Sequence, residues 1–402
     1  MMDRDVCVQV GFDPERLARV DGWMDRWIES GRLAGLSVLV SRRGQVAYER
    51  HAGHADRERG LRMGPDTLVR IYSMTKPLTS AALMMLYEEG RFQLDDPVHR
   101  VLPSFKAMRV FMGEGRDTVA AERPITYRDL LTHTSGLTYG FMASTPVDAM
   151  YRDQGVDFQT SALSLADLVD HVATLPLLAQ PGAAWNYSIA TDVLGHLVAL
   201  HSGQSFEAFL QERVLGPLGM LDTAFHVAPE KVARFAANYV PGPDGQAVLF
   251  DDPATSIFTR ARPIASGGGG LVGTGRDYMR FCHMMLNHGL FEGRRLLGRK
   301  TVALMTSNHL GGDMASMGQA RFSESSYSGI GFGLGFSVML DPAAAQIVGT
   351  PGECAWGGAA STGFWFDPVE ELAVVMLTQL MPSSTYPIRK ELRVLTYAAI
   401  EE

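Results

Sequence analysis

A serine and a lysine three residues apart, in Ser73-Met74-Thr75-Lys76-Pro77, carry the sharpest chemical signal in the chain. On a helical turn, residues i and i+3 share one face, so the lysine amine can approach the serine hydroxyl. A serine hydroxyl needs a base, and a lysine can serve where burial lowers its pKa. Pro77 is tolerated only in a first helical turn, so the helix cannot begin far upstream of Ser73. The free N–H groups and positive dipole end of that helix would then favour a developing oxyanion. The plainer alternative makes Ser73 an N-cap and Lys76 a solvated residue. A strand, a turn and an apolar helix around the motif favour the catalytic reading.

Two later segments supply partners. Trp185-Asn186-Tyr187-Ser188 follows the turn Pro181-Gly182 and precedes an apolar run, residues 189–195. A tyrosine there can present its phenol to a cleft and, with a cation nearby, act as general acid or base. A packing role is the alternative. In Trp356-Gly357-Gly358-Ala359-Ala360-Ser361-Thr362, two glycines weaken a strand unless something must approach its backbone closely. A substrate is one such reason, and a backbone N–H there could be a second oxyanion donor. A β-bulge is the other reading.

The elements that must position these groups follow from periodicity. Residues 13–31 read as an amphipathic helix carrying Leu17, Val20, Trp23, Met24 and Trp27. A hairpin turns at Arg42-Arg43-Gly44, residues 67–71 form a short strand, and a helix runs from about residue 78 to Gly90. Helices are expected near residues 127–131, 165–173, 190–201 and 206–214. Loops are expected over 109–123 and 138–160. Residues 330–340, 344–348, 358–366 and 372–380 read as antiparallel strands, followed by a helix from about 388 to 400. Strands at both ends with helices between imply an α+β fold: an antiparallel sheet flanked by helices, with a helical domain inserted.

Composition narrows the function. The chain has 402 residues, 46% hydrophobic and 20% charged, which are globular values. With 36 Lys+Arg against 44 Asp+Glu the net charge is −8, so nucleic acid and anionic membranes are poor partners. The three cysteines, Cys7, Cys282 and Cys354, are far apart and suggest neither a disulfide framework nor a metal knuckle. The eleven histidines show no ligand spacing, so no metal or other cofactor is expected. His133 reads as a hydrogen-bonded structural residue and Cys354 as packing. Gly268, Gly270 and Gly273 satisfy GxGxxG but lack the preceding strand of a dinucleotide site, and read as a turn into a helix starting at Thr274. No secretory signal or membrane-length apolar run is evident, so a cytoplasmic protein is expected.

Ser73-x-x-Lys76, the Tyr187–Gly195 run and the Trp356-Gly357-Gly358 strand, in that order, resemble the serine β-lactamase and penicillin-binding-protein superfamily. The likeness is closest to its family VIII carboxylesterases. Residues 130–137 (LLTHTSGL) and 267–272 (GGGGLV) support it. The resemblance covers most of the chain and implies a β-lactamase-like fold. Its α/β domain would comprise residues 1–75 and 255–402, and its mainly helical domain residues 76–254. It implies Ser73 as the acylated nucleophile, Lys76 and Tyr187 sharing base and acid work, and an oxyanion hole from the N–H groups of Ser73 and Ala359. Trp356, Gly357 and Gly358 would border the substrate. Two departures matter. Trp356-Gly357-Gly358 replaces a Lys-Thr-Gly triplet, and Ile189 stands where a Tyr-x-Asn motif has asparagine. Both remove groups that would hold an anionic β-lactam. The implied activity is hydrolysis of small, short-chain carboxylic esters. Acyl transfer, β-lactam or peptide hydrolysis, and a non-catalytic binding role are the alternatives.

Overall fold

The computed structural model describes residues 3–113, 117–157, 161–318, 326–383 and 385–402. Eight strands form one antiparallel sheet: β1 (Gly35–Arg42), β2 (Gln45–Asp56), β3 (Leu61–Arg62), β4 (Ile330–Phe332), β5 (Ser337–Met339), β6 (Cys354–Gly357), β7 (Gly363–Asp367) and β8 (Leu372–Leu377). Their order is β4-β5-β6-β7-β8-β1-β2-β3. The first hairpin is therefore joined to the late meander through β1 and β8, with Ser37 opposite Leu377 and Arg42 opposite Leu372.

Alternation along these strands feeds two cores. Val38, Val40, Val374, Met376 and Trp365 face the helices α1 (Arg19–Glu29) and α5 (Ile388–Tyr397), meeting Trp23, Met24, Ile388 and Leu392. Leu39, Val375, Leu377, Phe364 and Phe366 join the opposite core, which runs into the helical part. That side includes α2 (Thr75–Glu88), α3 (Ala190–Ser202) and α4 (Gly275–Leu286). Each fully buried aliphatic side chain contributes roughly 1.5–3 kcal/mol, so both faces of the sheet stabilise the fold. Helix α2 is central, with every residue from Thr75 to Leu86 buried. That matches its near-uniform apolar sequence rather than a one-sided stripe.

The α+β class expected from the sequence, an antiparallel sheet flanked by helices, is the one observed. Several local expectations change. The helix expected over 13–31 is two, Pro14–Leu17 and Arg19–Glu29, meeting at Ala18. The loop expected over 109–123 contains a hairpin, Arg109–Phe111 with Thr118–Ala120; residues 114–116 lie outside the described residues. The loop expected over 138–160 contains a helix, Pro146–Asp153, started by a Thr145/Asp148 capping box; residues 158–160 lie outside the described residues. The strand expected over 330–340 folds back on itself as β4 and β5. At the bend Gly335 has φ +106°, and a Cβ there would lie 2.4 Å from Ser80 Oγ. Residues 344–348 are not a strand: Asp341 caps a helical turn, Pro342–Ala345. The strand expected over 358–366 is a turn followed by β7.

Candidate active site

Ser73 lies in a 3₁₀ turn, Tyr72–Met74, that joins the short strand Val69–Arg70 to α2. The entering chain is held firmly. Gln379 Oε1 accepts from Arg70 N–H (3.0 Å), and Gln379 Nε2 donates to Arg70 C=O (3.1 Å). Arg70 itself is fully buried and donates to Asp251 Oδ2 (2.7 Å) and Ala236 C=O (2.7 Å). Tyr72 then takes φ +44°, a costly conformation for a tyrosine, which presents Ser73 at the helix entrance. The first bonds of the turn come from Met74 N–H to Ile71 C=O and from Thr75 N–H to Tyr72 C=O. The Ser73 N–H lies ahead of both.

Lys76 is 1% exposed, far from a solvated surface lysine. Its ammonium donates to Gly268 C=O (2.7 Å), Tyr139 Oη (3.1 Å) and Ser73 Oγ (3.4 Å), and stands 4.5 Å over the Tyr187 ring. The Tyr187 hydroxyl lies 2.6 Å from Ser73 Oγ. The three residues singled out from the sequence therefore meet around one hydroxyl. The Tyr187 ring is packed by Trp356, at 5.6 Å between centroids, and His133, at 5.1 Å. His133 Nδ1 accepts from Ser188 N–H at 3.3 Å and pairs with Ser188 Oγ at 3.1 Å. Burial, and then the Lys76 charge, push its imidazole well below 6.5, so it is a neutral structural residue.

Sequence reasoning missed the support under Lys76. Asp192, 1% exposed, accepts from Ser266 Oγ (2.5 Å) and Gly268 N–H (3.0 Å). Burial raises its carboxyl above the usual 3.8, and the Lys76 charge opposes that rise. Desolvation, reinforced by Asp192 and Tyr187, holds the Tyr139 phenol well above 10, so it stays a neutral hydroxyl beside Lys76. The signals were an acid inside the apolar run 189–195 and the four glycines 267–270. A Cβ on Gly268 would lie 2.3 Å from Asp192 Oδ2 and 2.8 Å from Tyr139 Oη. We expect Tyr139→Phe to lower kcat/KM by about tenfold or more, the factor for roughly 1.5 kcal/mol from one lost hydrogen bond to a charged group. Thermal melting should change little, because the ring stays. An unchanged rate would remove Tyr139 from the arrangement.

The Trp-Gly-Gly segment ends β6 and opens a turn closed by Gly358 N–H to Thr362 C=O (3.0 Å). A Cβ on Gly358 would lie 2.4 Å from the carbonyl oxygen of Ile71, two residues before Ser73. Glycine is thus what lets the turn carrying Ala359 come close to the chain that leads into Ser73. Ser73, Tyr187, Ile189, Trp356, Gly358 and Ala359 line one cavity of about 880 Å³. Cys354 is a buried free thiol whose pKa burial raises, as expected for packing. Among the described residues, no group of three or more His, Cys, Asp or Glu side chains could hold a metal ion, and no helix is long and apolar enough to cross a membrane.

The family model described as Beta-lactamase matches residues 20–398. The chain belongs to the beta-lactamase family. Within that family it is similar to Esterase EstB from Burkholderia gladioli, 32% identical over 90% of each chain. Among solved structures, this beta-lactamase-family fold superposes on "EstCE1, a hydrolase with promiscuous acyltransferase activity" with a TM-score of 0.81 and 29% identity, covering 95% of this chain and 99% of the other. It superposes on a mutant of simvastatin synthase from Aspergillus terreus with a TM-score of 0.79 and 26% identity, covering 100% and 97%. The family member described here is a serine hydrolase of the esterase and acyltransferase kind on a β-lactamase scaffold, akin to the family VIII esterases.

Proposed function

We propose that this enzyme cleaves carboxylic esters through an acyl-enzyme on Ser73. The carrying observation is that the Tyr187 hydroxyl and the Lys76 ammonium both reach Ser73 Oγ, at 2.6 and 3.4 Å. With the Tyr187–Lys76 pair one proton short of the hydroxyl–ammonium form, Ser73 Oγ attacks the ester carbonyl and its proton passes to that pair. The tetrahedral oxyanion lies between the N–H groups of Ser73 and Ala359, bordered by Trp356, Gly357 and Gly358. The alcohol leaves with the proton, and water, activated by the same pair, releases the acid. The cleft lies where the helical domain, residues 76–254, meets the discontinuous domain of residues 1–75 and 255–402. Cys7, Cys282 and Cys354 are buried free thiols, which suits a cytoplasmic setting.

The substrate is a neutral ester. Ile189 and Trp356 line the cleft where an asparagine and a lysine would hold a β-lactam. We place short acyl chains in the acyl position. A cavity of about 880 Å³ exceeds what such a chain fills, so the remainder accommodates the alcohol portion. The same spare volume favours acyl transfer as a second reading, because an acceptor alcohol can bind beside the acyl-enzyme. The test is p-nitrophenyl ester hydrolysis from acetate to laurate, with and without an added alcohol. Fastest turnover at butyrate or shorter, with the free acid as main product, supports the esterase. Predominant ester product at millimolar alcohol supports transfer. Faster turnover of nitrocefin than of any ester would overturn both.

A further inference from the structure

The turn that carries Ala359 is gripped by a side chain that also borders the cavity and has no role so far. Arg389, at the start of α5, donates from Nη2 to Thr362 C=O (2.7 Å) and Gly358 C=O (3.1 Å), and from Nε to Thr362 C=O (3.1 Å). The space for its guanidinium is written into the sequence. A Cβ on Gly357 would lie 2.7 Å from Arg389 Nη2, and one on Gly363 would lie 3.0 Å from Nε. Gly363 is thus explained by the arginine, Gly357 by the arginine together with the Thr362 carbonyl, also 2.7 Å away, and Gly358 by the Ile71 carbonyl and Thr362 Oγ1, both at 2.4 Å.

The Gly358 carbonyl and the Ala359 N–H belong to one peptide unit. That unit is planar and trans, so fixing the carbonyl on one side fixes the direction of the N–H on the other. A cationic donor on the carbonyl also polarises the peptide and strengthens its N–H as a donor. We propose that Arg389 is a positioning residue that aims the Ala359 N–H at the oxyanion formed on Ser73. This rests on the acyl-enzyme reading above. A lysine cannot reproduce the grip, since it lacks the planar fork that spans two carbonyls.

The helix carrying Arg389 is anchored independently of it. Glu391 accepts from the indole N–H groups of Trp23 (2.7 Å) and Trp27 (2.9 Å). Arg393 pairs with Glu353, and the Tyr397 hydroxyl bonds to Glu353 (2.5 Å) and Asp367 (2.8 Å). Removing Arg389 should therefore loosen the turn without releasing α5.

The experiment compares wild type, Arg389→Ala and Arg389→Lys in p-nitrophenyl butyrate hydrolysis, thermal melting and inhibition by an aryl trifluoromethyl ketone, whose adduct carries the oxyanion. In Arg389→Ala we expect kcat to fall by about 10- to 10²-fold, the scale for displacing an oxyanion donor by an ångström, with KM nearly unchanged. Ketone affinity should fall by the same factor. Methylguanidinium should restore part of the rate, and Arg389→Lys should recover less than half of the logarithmic loss. An unchanged kcat, or a loss confined to KM or to melting temperature with ketone affinity intact, overturns the proposal. Arg389→Lys decides the matter by the same criteria if Arg389→Ala does not fold. Fluorophosphonate labelling of the wild type separates the two levels. No labelling at Ser73 overturns the acyl-enzyme reading and this inference with it. Labelling with unaltered Arg389 variants overturns only the inference.

Discussion

Ser73→Ala is expected to abolish ester hydrolysis, with kcat falling by about 10³-fold or more, the scale for removing a covalent nucleophile. The fold should be untouched. Ser73 is half-buried and removing one oxygen opens little space, while the backbone before it stays clamped by Gln379 and Arg70. Lys76 keeps Gly268 C=O and Tyr139 as acceptors. Melting temperature should therefore stay within a few degrees of wild type, whereas fluorophosphonate labelling should vanish. Equal hydrolysis by the two proteins, purified in parallel, would reduce Ser73 to a residue of the helix entrance and end the acyl-enzyme reading.

Tyr187→Phe and Lys76→Met are expected to cost about 10²- to 10⁴-fold each in kcat/KM, the range for losing general acid–base assistance. The two losses should not add. In the proposed mechanism both groups act on one proton of one hydroxyl, so the double variant should be nearly as active as the weaker single variant. Stability separates them. Phenylalanine keeps the ring packed against Trp356 and His133, so Tyr187→Phe should melt close to wild type. Lys76→Met leaves the buried Gly268 carbonyl without its donor, and about 1–3 kcal/mol of stability should go with it. Urea titration beside steady-state kinetics measures both. Two independent, additive losses of a few-fold would mean that neither residue handles the proton.

How much of this was readable in advance depended on the range of the interaction. Ser73 and Lys76 share one turn, and Pro77 limits where that turn can begin, so local spacing sufficed. The local pattern left Tyr187 open between a cleft phenol and a packing residue, and only the family resemblance joined it to Ser73 and Lys76. The fold class followed from the alternating strands at both ends. Tyr139, Asp192 and the Gly268 carbonyl come from three separate segments and meet only under Lys76, where no local pattern joins them. The glycines of the late segment illustrate the boundary well. Close approach to their backbone was expected there for a substrate; the Ile71 carbonyl and the Arg389 guanidinium are two further approaching groups that no local pattern announces. The strand errors have the same origin. Residues 330–340 are apolar enough for one strand, and the bend comes with long-range packing, of Gly333 on Met305 and of Gly335 on Ser80, that no local pattern shows.

The pairing of β1 with β8 has a consequence for synthesis on the ribosome. The first hairpin and the Ser73 turn emerge early, yet the edge of β1 meets no neighbour until residues 372–377 have been made. For most of translation that edge is an open, apolar template, the kind that invites pairing with other chains. The turn bearing Ala359 and the arginine behind it also emerge late. In the proposed mechanism Ser73 is therefore synthesised long before the turn that would complete its oxyanion hole, so the period of greatest aggregation risk coincides with a period of chemical silence.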